Sequence, residues 1–103
     1  MTAWSNAELA AMAEDATIDC YNEDEQVSGF YTMIADNLEV PFKTTVLGVD
    51  VTVEDVDMRD DGCIVAICAR GALRQAIRLL DLPLPTPLPA GAEWVYAYRH
   101  WLS

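Results

Sequence analysis

Positive charge is what this sequence has least of. Lysine and arginine together number 6 against 17 aspartates and glutamates, a formal net charge of −11. Such a chain repels nucleic acid and anionic membrane, and attracts cations or a basic protein surface. Histidine is almost missing, at 1 residue, and the 3 cysteines are an odd number without framework spacing. That argues against a disulfide scaffold and for a reducing compartment, the cytoplasm. No apolar run approaches the roughly 18 residues of a membrane span, and Met1 to Ser5 carries no basic leader, so neither a span nor a signal peptide is expected. The 5 glycines are scattered. They build no phosphate-cradling loop and no Gly-x-Ser-x-Gly elbow, and enzymatic activity is not expected.

What remains is a chain of 103 residues, 52% of them apolar or aromatic, enough for one domain over 1–103 with its own core. The acidic charge is concentrated in its first part: 15 acidic and 2 basic residues up to Asp61, then 2 acidic and 4 basic. Ser5 and Glu8 have capping-box spacing, and Leu9, Met12, Ala13 and Ala16 recur at helical intervals, which predicts a first helix to about Asp19. Asn22 and Glu25 repeat the start signal. Val27, Phe30, Tyr31, Ile34 and Leu38 then form an amphipathic stripe. Gly29 inside it costs about 1 kcal/mol of helix propensity relative to alanine.

The chain changes character at Asp36-Asn37-Leu38-Glu39-Val40-Pro41-Phe42, where Pro41 disfavours α geometry at Val40. Beyond it the period falls from 3.6 to 2. Strands are predicted at Phe42 to Val46, from Val49 through Glu54, at Cys63 to Ala69, and at a last segment holding Arg74, Ile77, Arg78 and Leu79. Turns are expected at Leu47-Gly48, Arg59-Asp60-Asp61-Gly62 and Arg70-Gly71-Ala72, and a bulge or a strand end at the slip near Asp55-Val56. Prolines 83, 85, 87 and 89 demand an extended strap. After Gly91, a helix aligns Trp94, Ala97, Tyr98 and Trp101. The fold class is α+β: two N-terminal helices, a four-stranded antiparallel meander sheet, a proline-rich strap and a C-terminal helix.

The chemistry narrows by elimination. Cys63 and Cys68 lie five apart on a predicted strand, so they face opposite sides and cannot grip one zinc; with only His100 to help, both read as buried thiols. The carboxylates are hard ligands suited to calcium. They gather at Asp19/Glu23/Asp24/Glu25, at Asp36/Glu39 and at Asp55/Asp57/Asp60/Asp61. No helix-loop-helix loop is present, because the glycine and the twelfth-position glutamate never fall in place. Glu25 and Asp36, eleven residues apart, stand roughly 16 Å apart along a helix and cannot share an ion. Spacing alone leaves both readings open. The first cluster favours a helix start and Asp60-Asp61-Gly62 is ordinary turn chemistry, while folding could bring the hairpin to either end of the second helix.

Several blocks are similar to the signature of the CcbP-type calcium-binding proteins, a family named for a cyanobacterial calcium buffer. They are Tyr21-Asn22-Glu23-Asp24-Glu25-Gln26, Gly29-Phe30-Tyr31 and Asp36 to Phe42, then Val46-Leu47-Gly48, Val51-Thr52-Val53, Ile64 to Cys68 and Leu79 to Leu82. The closing block is Pro87 to Trp94 with Ala97, Tyr98, Arg99 and Trp101. The resemblance spans 21–102, and the first helix lies outside it. It implies a buffer or calcium-responsive protein with Ca²⁺ held by acidic residues of the matching blocks: Glu23, Asp24, Glu25, Asp36 and Glu39. Asp60 and Asp61 fall where the pattern varies and are further candidates. Without a contiguous loop the affinity is expected to be moderate or weak, and lost on acidification. The rival reading is an acidic interaction or inhibitor protein that docks on a basic partner, mimicking nucleic acid, with strongly salt-dependent association.

Overall fold

A computed structural model describes residues 4–102. Helix α1 (Asn6–Ala16) starts on the capping box: the Glu8 N–H donates to Ser5 Oγ at 3.1 Å and the Ser5 N–H to the Glu8 carboxylate at 3.4 Å. It buries Leu9, Ala13 and Ala16, and stops at Ala16 rather than near Asp19. Two local features end it. The Thr17 hydroxyl donates to the Ala13 carbonyl at 2.8 Å, and Asp19 adopts φ 61. Helix α2 (Glu23–Asn37) follows at once, its start capped by Asn22 Oδ1, which accepts from the Glu25 N–H at 2.9 Å. The helices cross at Gly29, where a Cβ would lie 2.1 Å from the Ala16 carbonyl oxygen. Close approach of two backbones is the reason for a residue that propensity alone disfavours.

The sheet is a meander of order β1-β2-β3-β4, antiparallel throughout. Strand β1 (Phe42–Val46) turns into β2 (Val49–Met58) through Leu47 and Gly48, at φ 51 and 77, a two-residue hairpin that favours positive φ at both positions. In β2 the register shifts between Val53 and Asp55, making Glu54 the extra residue of a bulge one place before the expected slip. That extra residue lets Val53 and Val56, an odd number apart, both face the core. Glu54 reaches across to Arg74 at 2.8 Å. Strand β3 (Ile64–Arg70) is the most buried, as its apolar run predicts, although Cys63 stands just outside it. Strand β4 (Leu73–Arg78) ends before Leu79, which is fully buried in a 3-10 turn over Leu79–Asp81 and not in the strand.

The proline-rich segment is an ordered strap. Leu82 is buried beneath it, and the Pro83 carbonyl accepts a short hydrogen bond from the buried Thr44 hydroxyl of β1. Helix α3 (Ala92–Leu102) then packs on α1 and α2, with the Phe30 ring 5.3 Å from Tyr98 and 5.1 Å from Trp101, so the aromatic stripe is core. The turn into α3 meets the end of α2. Gly91 has φ 86, and a Cβ there would sit 2.0 Å from the Asn37 oxygen and 2.5 Å from the Leu38 nitrogen.

Two substitutions test this account by urea unfolding. Gly91→Ala adds a left-handed penalty to a backbone collision and is expected to cost about 3 kcal/mol or more. Leu47→Asn, at an exposed left-handed position, is expected to gain about 1 kcal/mol.

Candidate metal centre

Helix α2 sets the positions of the acidic residues. Its Ser28 hydroxyl donates to Met58 Sδ at 3.9 Å and its Tyr31 hydroxyl to the Val56 carbonyl at 3.5 Å. Moving toward the start of α2 therefore means moving toward the end of β2. The turn bearing Asp60 and Asp61 lies at the N-terminal end of the helix, on the side of Glu23, Asp24 and Glu25. Asp36 and Glu39 stand at the opposite end.

The two ends differ electrostatically although all seven side chains are exposed. At the N-terminal end the carboxylates are already served by backbone. Glu25 Oε2 accepts from the Tyr21 N–H at 2.8 Å, Asp61 Oδ1 from the Cys63 N–H at 3.0 Å, and the positive pole of α2 favours Glu23 and Asp24. At the C-terminal end Asp36 lies in the last turn of α2, against the negative pole, and no basic residue occupies that turn. Neither Asp36 nor Glu39 makes a side-chain hydrogen bond or ion pair among the described residues. Their backbone is nonetheless held: the Leu38 N–H donates to the Ile34 carbonyl at 2.8 Å and the Glu39 N–H to the Ala90 carbonyl at 2.7 Å. Glu39 also lines a hollow of about 270 Å³ with Lys43, Phe42 and the strap prolines.

Hard oxygens and helix-end carbonyls are donors that calcium accepts. However, among the described residues no three His, Cys, Asp or Glu side chains are arranged to hold a metal. The donor types fit, but among the described residues these side chains build no cage, and water and carbonyls must complete the usual six to eight oxygens. A feature with no sequence signal is a larger cleft of about 660 Å³ between the strap and the strand ends, which holds Lys43 and Arg70. Its walls come from four separated segments.

The fold resembles that of Anabaena CcbP: the crystal structure superposes with a TM-score of 0.75 at 18% identity, over 99% of this chain and 95% of the other. The shared shape includes α1, which the sequence resemblance omits. No family model and no curated protein matches the chain. Among the described residues no helix is long and apolar enough to cross a membrane.

Two buried groups have shifted pKa values, Cys68 on β3 and Tyr98 on α3. Cys68 is buried while Cys20 and Cys63 are half-buried, so only one of the two thiols expected in the core is there. Burial pushes the Cys68 thiol above its ordinary 9.0. Burial, and then the neighbouring Cys63, push the Tyr98 phenol above 10.0. Both groups ionise more readily in the unfolded chain, so the stability they support is complete below the unfolded values and lost as pH rises through the folded ones. The urea midpoint is expected to fall as pH rises above 9.0, the ordinary thiol value. Cys68→Ala should lower stability at neutral pH yet flatten that alkaline slope.

Proposed function

We propose that this chain binds calcium, weakly and without a helix-loop-helix loop, and that Asp36 and Glu39 are its principal ligands. The observation that carries the reading is the likeness in shape to a calcium-binding protein over nearly the whole chain. The electrostatics of α2 supports the choice of end. A cation at Asp36 and Glu39 relieves two carboxylates placed at a negative helix pole, whereas at the N-terminal end the helix already supplies positive potential. Glu23, Asp24, Glu25, Asp60 and Asp61 then act as helix-start and turn residues that add to the general field. A shallow site with few protein oxygens belongs to the weak end of calcium affinities, about 10⁻⁴ to 10⁻³ M. That suits a buffer or a calcium-responsive protein, and the 3 unpaired cysteines accord with a reducing compartment.

Thermal unfolding in EDTA, in Ca²⁺ and in equal Mg²⁺ tests this. At ten times its dissociation constant, a ligand of the folded state alone adds about 1.4 kcal/mol, which raises the midpoint of a domain of this size by roughly 5–10 degrees. The rise should appear with Ca²⁺ and not with Mg²⁺. It should vanish in Asp36→Asn/Glu39→Gln and survive in Asp60→Asn/Asp61→Asn. Equal small rises with both ions would mean that an acidic surface is only being screened, and a basic protein partner becomes the better reading.

A further inference from the structure

The cleft between strap and sheet points to a second ligand of opposite sign. Its volume of about 660 Å³ lies within the roughly 300–1,000 Å³ typical of small-molecule sites. In a chain with 6 basic residues it collects two of them, Lys43 and Arg70. Neither is neutralised by a carboxylate; the one ion pair among the described residues joins Arg74 to Glu54. Arg70 is instead aimed by a backbone group. Its Nη1 donates to the Asp50 carbonyl at 2.9 Å, which fixes the guanidinium and leaves its other N–H groups without partners among the described residues. The one carboxylate in the lining, that of Asp50, accepts from the Thr45 hydroxyl at 2.9 Å. Val51, Leu84 and Pro85 supply apolar wall.

A guanidinium held by a carbonyl, beside an unpaired ammonium and an apolar wall, is suited to a small organic oxyanion with a hydrophobic body. We propose that this cleft binds such an anion, a carboxylate or a phosphate monoester, through Arg70 and Lys43. The ligand is small because the strap closes one side: the Thr44 hydroxyl ties β1 to Pro83. An acidic protein partner is disfavoured, since a chain of net charge −11 repels an extended acidic surface beyond the cleft itself.

Two-dimensional NMR of the isotope-labelled chain in EDTA, at fixed ionic strength, tests the proposal with benzoate, phenyl phosphate and neutral benzamide as probes. One or both anions should give saturable shifts confined to the amides around Lys43, Asp50, Arg70 and Leu84, and benzamide should give none. The tighter anion identifies the head group. Arg70→Gln and Lys43→Met, both at exposed positions, should each weaken binding about tenfold or more, the loss expected for one charge-assisted hydrogen bond, with the rest of the spectrum unchanged. Shifts that are absent, scattered over the surface, matched by benzamide or untouched by both substitutions overturn it.

Discussion

The contact between the backbone at Gly91 and the end of α2 is the constraint on which the rest of the structure depends. Three elements meet there. Helix α2 ends at Asn37, β1 begins five residues later at Phe42, and α3 begins at Ala92. The Gly91 backbone lies so near Asn37 and Leu38 that no side chain fits, and one residue earlier the Ala90 carbonyl receives the Glu39 N–H. This join sets where α3 lies along α2, and so brings Tyr98 and Trp101 onto Phe30. It also fixes the direction in which β1 leaves. The Thr44 hydroxyl on Pro83 closes the same loop of structure from the sheet side.

Most of the fold was legible in the sequence, because it rests on periodicity and local chemistry. The stripe Phe30, Ile34, Leu38 predicts a helix face, and those residues are buried. The alternation in β2 and the apolar run in β3 predict neighbouring strands of the meander, and both stand in its centre, between β1 and β4. The misses have local and tertiary causes. Helix α1 stops at Ala16, where the Thr17 hydroxyl takes the Ala13 carbonyl, Asp19 adopts φ 61 and Gly29 of α2 lies against the Ala16 carbonyl. Leu79 looks like an alternating strand residue, yet it belongs to the turn that leads the chain off the sheet. Gly29 reads as a weakness until its neighbour across the helix pair is known.

The site was less legible, for a physical reason. Carboxylates at a helix start, in a tight turn and in a metal cage have the same local sequence preferences, so density of charge cannot separate them. The packing of Ser28 and Tyr31 on β2 decides which carboxylates are neighbours, and no local pattern encodes it. It brings Asp60 and Asp61 to the end where Glu23, Asp24 and Glu25 stand. That end holds most of the charge, but backbone N–H groups there already do what a cation would do. The Lys43–Arg70 cleft is invisible in one dimension, since its walls come from four segments spread between Lys43 and Pro85.

Distance makes the two ends of α2 independent of each other. A helix of 15 residues spans about 22 Å at the α-helical rise. The Debye length at physiological ionic strength is about 8 Å, so an exposed charge at one end is largely screened from the other. The five carboxylates at the start of α2 can raise the general concentration of counter-ions around the protein, but cannot hold an ion beside Asp36. Selectivity between divalent cations, where a hydration shell must be partly replaced by fixed oxygens, can arise only from groups within a few ångströms. The net charge of −11 therefore explains attraction to cations in general and no preference among them. At the proposed site, a preference has to come from Asp36, Glu39 and the helix-end carbonyls that the Ala90–Gly91 turn holds in place.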